Sequence, residues 1–146
     1  MLKIPPPIWA LVYVILAAIV SLLLGWPTGL RIIALGILLI IAGVALSVTA
    51  AGLFRREGTE LNPASPSNQK LVTSGPFAFS RNPMYSGLIL CALGIAFLVG
   101  AWPMFLVPVA IFATVNFVHI PFEEAKMRRQ FGGAFDTYAR KVRRWI

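Results

Sequence analysis

The sequence predicts an all-α polytopic membrane protein with about four transmembrane helices and a C-terminal amphipathic interfacial helix. Three observations carry that prediction. Hydrophobic residues make up 58% of the 146 positions and charged residues only 12%, against roughly 25% charged in a soluble domain. Apolar runs close to membrane-crossing length alternate with short polar segments. Threaded through four spans, the chain places twelve of its thirteen Lys and Arg residues on one side. The net charge of +8 is confined to segments beside apolar runs, which suits an anionic lipid surface and not nucleic acid. The length fits one domain, 1–146, with two N-terminal spans in 1–53 and a more polar part in 54–146.

Ile8 to Leu24 is apolar apart from Tyr13 and Ser21, close to the ~20 residues a span needs. Pro5, Pro6 and Pro7 stiffen its start, and Trp9 and Trp26 suit opposite interfaces. No small-residue cleavage site is clear, so the run reads as a retained span. Gly25 to Gly29 is a turn signal. Leu30 to Leu53 is the second span, with Arg31 at its start. Gly36, Gly43 and Ala50 recur every seven residues, a small-residue stripe that lets another helix approach closely.

Phe54 to Ser80 is a polar, turn-rich segment with Pro63, Pro66, Gly75 and Pro76. Loops of this length are usually functional or disordered, and the Phe77 and Phe79 pair argues for order. Asn82-Pro83 opens the third span, with Asn suited to a helix cap and Pro to the first position. Met84 to Val99 and Met104 to Val118 flank the turn Gly100-Ala101-Trp102-Pro103 and predict a tight helical hairpin. Cys91 lies inside it and has no second cysteine to pair with. Pro121 is expected to start or kink the last helix, whose Phe131, Phe135, Tyr138 and Val142 form an amphipathic stripe.

The positive-inside rule puts both termini, the Phe54–Ser80 loop and two polar clusters on the cytoplasmic side. One cluster is Arg81 to Tyr85; the other is His119 to Glu124. Each has an ordinary reading: Arg81 as an anchor, Glu123 and Glu124 as first-turn acids with Glu124 paired to Arg128, His119 as an interfacial histidine. Their coincidence at one membrane face supports a site. A zwitterionic cofactor needs a carboxylate for its ammonium, and a cation or backbone N–H groups for its carboxylate. There is no metal-ligand spacing, no nucleotide-binding glycine loop and no nucleophile–base pair. An enzyme built on these residues would take its reactive group from a bound cofactor.

The ordered motifs L-V-T-S-G-P-F-x-x-x-R-N-P-M-Y-x-G, E-E and F-G-x-x-F-x-x-Y resemble the integral-membrane methyltransferases. That superfamily includes isoprenylcysteine carboxyl methyltransferases and phospholipid N-methyltransferases. The resemblance covers about 54–146, and the compact chain is similar to prokaryotic members, which implies a prokaryotic inner membrane. It implies S-adenosyl-L-methionine as methyl donor and a lipophilic or membrane-associated acceptor.

The resemblance also assigns residues. Cofactor contacts map onto Gln69, Lys70, Leu71, Val72, Gly75 and Phe77, onto Asn82, Pro83, Met84 and Tyr85, and onto Glu123 with Glu124 beside it. Tyr85 and His119 would face the reaction centre, with Arg81 as a charge partner. The prenylcysteine branch has Tyr at Phe77, His at Asn82 and Arg at His119. The phospholipid branch shares Asn-Pro-Met-Tyr. Two other readings use the same residues: an NADPH-dependent membrane reductase, and a small non-catalytic membrane protein. The methyl acceptor and the oligomeric state are open at this level.

Overall fold

The computed structural model describes residues 4–25, 29–57 and 70–145. Trp26, Lys3, Gln69 and most of the polar loop lie outside the described residues. Six α-helices follow in order: α1 Pro6–Leu23, α2 Ile33–Arg56, α3 Pro83–Val99, α4 Trp102–Thr114, α5 Ile120–Phe131 and α6 Gly133–Lys141. A 3-10 turn, Gly75–Ala78, precedes α3. A single π-helical turn, Val115–His119, joins α4 to α5. α1 and α2, and the helix running from α4 through α5, are long and apolar enough to cross a membrane; α3 is a shorter apolar helix. The chain is an all-α polytopic membrane protein, as its composition predicts.

The small-residue stripe on α2 has a partner that periodicity alone did not name. Gly36 of α2 lies against Gly94 of α3, and Gly43 against Gly87. A Cβ at Gly43 would stand 2.5 Å from the Gly87 carbonyl, and one at Gly94 2.7 Å from the Gly36 carbonyl. The two backbones therefore touch through glycine faces on both sides. Ser47 donates to the Met84 carbonyl (3.3 Å), and Cys91 lies 3.7 Å from the Ile40 carbonyl as a packed, free thiol.

The far end of this pair is closed by backbone. Gly100 takes φ +79, and its C-terminal helix carbonyls are met by the segment before α2. Leu30 N–H donates to Gly100, Ile32 N–H to Phe97, and the Arg31 guanidinium to Leu98 (3.0 Å). Arg31, the exception in the charge count, is thus a cap for α3. α1 packs on α4, where the Tyr13 hydroxyl and Thr114 Oγ1 share a hydrogen bond of 2.8 Å. Its other face leaves Leu11, Ile15 and Leu22 exposed, as a lipid-facing surface requires.

Two expectations are revised and one holds. α2 continues through Phe54 to Arg56, so the polar loop starts later. Pro121 stands in the first turn of α5, directly after the π-turn, as expected of the start of the last helix; the helical run nonetheless continues from α4 through α5 over 30 residues, Trp102–Phe131. The π-turn explains this. Pro121 has no N–H for the Phe117 carbonyl, and its ring crowds that carbonyl. The preceding turn widens, and Ile120 N–H reaches back to Val115. The break falls instead at Gly132, with φ +52. The Phe131-to-Val142 stripe is therefore split. Phe135 and Tyr138 turn inward from α6, while Val142 is extended.

At ~1.5 Å per residue, a helix of that length outruns a ~30 Å hydrocarbon core by about 15 Å. Glu123 and Glu124, about 32 Å along that helix from Trp102, fall at the membrane edge on the side of the Ser80–Arg81 corner. Gly43→Val is expected to cost at least about 1–3 kcal/mol by forcing α2 and α3 apart. Gly52→Ala, whose Cβ meets nothing within 4 Å, is expected to leave stability unchanged or raised. Thermal unfolding in detergent checks both.

Candidate active site

The site is built at the corner where the polar loop turns into α3. Gly75 starts the 3-10 turn at φ +58, and a Cβ there would meet Leu53 at 2.7 Å. The turn drives Phe77 into a pocket with Ala50, Leu53, Phe54, Val72 and Met84. Phe77 meets Phe54 edge-on at 4.9 Å. Tyr138 of α6 donates its hydroxyl to the Phe77 carbonyl at 2.7 Å. Burial pushes the Tyr138 phenol up to about 12, with the Arg81 charge acting against that, so it remains a donor at neutral pH.

The two adjacent acids of α5 have different surroundings. Glu124 is buried, with 7% of its surface exposed, and receives two arginines. Its Oε1 accepts from Arg81 Nη2 (2.8 Å) and Arg144 Nε (3.3 Å), and its Oε2 from Arg144 Nη2 (2.8 Å). The expected Glu124–Arg128 pair does not form; Arg128 pairs with Asp136 at 3.2 Å. Glu123 accepts the Tyr85 hydroxyl of α3, with the Lys126 charge nearby. One carboxylate is neutralised by two guanidinium groups; its neighbour is held by a neutral hydroxyl.

Arg81 is heavily engaged. Its Nη1 donates to the Ala139 carbonyl (2.6 Å) and the Val142 carbonyl (3.0 Å), and its Nη2 to Glu124. Asn82 stands at the N-cap of α3, but its side chain does not cap. Its Nδ2 donates to the Arg144 carbonyl at 3.0 Å. The sequence reading of Asn82 as a side-chain cap is corrected accordingly: the tail competes for the amide and holds it.

His119 ends the π-turn one helical turn before Glu123, on the same side of the helix. It is 2% exposed, and its Nε2 has no hydrogen-bond partner among the described residues. A buried, unsatisfied imidazole nitrogen is costly to leave without a function. Tyr85 packs against the Ala10, Ala92, Val107, Ile111 and Val115 cluster.

The predicted site residues therefore divide. Tyr85 and Glu123 meet, as do Arg81 and Glu124. Lys70 is exposed and pairs with Glu57. Leu71 is half-buried and Gly75 exposed beside the corner. Val72, Phe77, Asn82 and Pro83 are buried, so they shape its wall with their side chains. Met84 is half-buried behind Phe77. Sequence reasoning missed Ser80, Asn116, Arg144 and Trp145. Arg144 had no signal that separated it from the other basic residues of the tail.

A family model described as phospholipid methyltransferase matches residues 31–134. The chain belongs to that family. The match begins at α2, which the motif resemblance had left out; the glycine contact with α3 gives the physical reason. Protein-S-isoprenylcysteine O-methyltransferase B of Arabidopsis thaliana is 30% identical over 119 residues, 73% of this chain and 55% of that protein. The chain thus spans about half the length of that curated relative. No solved structure matches.

Glu124→Ala would leave the largely buried Arg81 guanidinium without its charge partner and is expected to cost about 3 kcal/mol in unfolding experiments. Tyr138→Phe is expected to cost about 1 kcal/mol. A raised folded pKa means that the Tyr138 contribution is complete below its unfolded pKa of ~10. It is lost as pH rises through about 12. The stability gap between wild type and Tyr138→Phe should close over that interval in pH-dependent melts.

Proposed function

We propose that this chain transfers a methyl group from S-adenosyl-L-methionine to a lipophilic, membrane-associated acceptor. One observation carries the reading: Glu123 is held by the Tyr85 hydroxyl while both nearby arginines go to Glu124. A carboxylate that is oriented but not cancelled by a guanidinium suits an organic cation. Family membership and the 30% identical isoprenylcysteine O-methyltransferase support the same chemistry.

The donor set fits the cofactor. Glu123 would receive its ammonium group. Backbone N–H groups from Leu71 to Gly75 and around Asn82–Tyr85 would take its carboxylate and adenosine ends, with Lys70 at the rim. When bound, S-adenosylmethionine supplies a methyl group made electrophilic by a positively charged sulfur. The protein's task is then alignment and exclusion of water. Tyr85 orients Glu123 and faces the reaction centre. Val72, Phe77, Pro83 and Met84 give the wall its shape. Arg81 positions Glu124 and the start of α3. His119 Nε2 would accept the proton of an acceptor that must lose one.

The acceptor would arrive through the bilayer. The density of Lys and Arg beside the site supports a cytoplasmic orientation.

Calorimetric titration of S-adenosylmethionine into protein in lipid nanodiscs tests the reading. Wild type is expected to bind saturably. Glu123→Gln should weaken binding about tenfold or more by removing a charge-assisted contact, with helicity and melting temperature close to wild type. Unchanged affinity in Glu123→Gln would remove the carboxylate from the site.

A further inference from the structure

The last described residues are bound to the site and to little else. Val142 N–H closes α6 on the Tyr138 carbonyl (2.9 Å), and from Val142 the chain turns extended. Arg143 bridges Ser80 in parallel fashion, and its carbonyl accepts Arg81 N–H at 2.9 Å. The Arg144 carbonyl accepts from Ser80 Oγ (3.2 Å) and Asn82 Nδ2 (3.0 Å). The Arg144 side chain forks onto both oxygens of Glu124. Trp145 donates to Asn116 Oδ1 at 3.1 Å and lies against Phe112 at 4.9 Å. It also packs on the apolar cluster that holds Tyr85.

Three consecutive residues thus grip three different walls. Arg143 and Arg144 hold the corner that begins α3 and carries Tyr85. Arg144 also holds the acid next to Glu123. Trp145 holds the π-turn that ends in His119. The family match stops at residue 134, so this segment lies beyond it.

We infer that the tail Val142–Trp145 is a positioning element of the site: Arg144, acting through Glu124 and Asn82, and Trp145, acting through Asn116, set the distances among Tyr85, Glu123 and His119. The inference rests on the methyl-donor reading above for its ligand consequence. The physical reason is geometric. α3 and the α4–α5 helix meet at this end through the Tyr85–Glu123 and Arg81–Glu124 contacts, and the tail is the strap laid across both. A bidentate guanidinium fixes a carboxylate in angle as well as distance, which a lysine cannot do. Catalytic geometry is steep: a shift of about 1 Å can cost on the order of a hundredfold.

The test uses the full chain in lipid nanodiscs, with Arg144→Ala, Arg144→Lys, Trp145→Phe, Glu124→Gln and the Arg144→Ala/Glu124→Gln pair. The first arm needs no ligand. Hydrogen–deuterium exchange should rise in Arg144→Ala at the peptides carrying Asn82–Tyr85 and His119–Glu124, and stay unchanged at Gly36–Gly43 in the α2–α3 contact. The second arm titrates S-adenosylhomocysteine. Arg144→Ala should weaken it about tenfold to a hundredfold, with Arg144→Lys between it and wild type. The double variant should lose less than the product of the two single losses, because the residues act as one unit. Trp145→Phe should raise exchange at His119–Glu124 alone. Unchanged exchange at both site peptides in a folded Arg144→Ala protein overturns the inference, as does multiplicative loss in the double variant. Failure of wild type to bind, with the exchange pattern intact, would sink the methyl-donor reading and leave the positioning role standing.

Discussion

A buried carboxylate is tolerable only when its charge is met, and Glu124 meets that condition with two arginines from distant parts of the chain. Arg81 comes from the corner before α3, Arg144 from the tail, and Glu124 from the projecting end of the longest helix. The three side chains meet only because the corner, the helix end and the tail are brought together. Breaking a buried pair strands a charge and costs far more than an exposed pair contributes. The network therefore fixes where α3 begins relative to α5, and with it where Tyr85 finds Glu123.

The membrane part supplies rigidity to that arrangement. Glycine faces on α2 and α3 bring two backbones together with no side chain between them, so α3 has little room to slide. α4 and α5 are continuous, so a motion of the membrane hairpin would be carried directly to Glu123. The π-turn is the one irregularity in that helix, and it brings the unpartnered His119 nitrogen to the site end. Irregular turns of this kind are often retained where a side chain must be aimed. A rigid pair of helices, a single widened turn and a polar strap make a site that is largely preformed, which suits a reaction whose main demand on the protein is alignment.

Much of this was legible in the sequence. Hydropathy marked where the apolar helices lie, because the bilayer forces every span to be long, apolar and internally hydrogen-bonded. The stripe Gly36, Gly43, Ala50 marked a contact face, though not Gly87 and Gly94 across from it. The division of labour between Glu123 and Glu124 was not legible. Adjacent acids differ only in which way a helix turns them, and that depends on tertiary partners. Asn82 illustrates the same limit. Its type and position satisfy the rules for a cap, yet a carbonyl 62 residues away takes its amide. The tail was hidden for another reason: among the seven Lys and Arg residues after Glu124, one half-buried arginine that pairs with Glu124 reads like a surface charge.

Photo-crosslinking with methyl-labelled S-adenosylmethionine would test the central claim most directly, because it reports where the ligand sits. The protein would be irradiated in nanodiscs, digested, and the labelled peptides sequenced. The account predicts saturable label on the peptides that carry Leu71–Tyr85 and Glu123, competed away by S-adenosylhomocysteine. Label confined to other segments, such as α1 or α2, or label that the product does not displace, would contradict it.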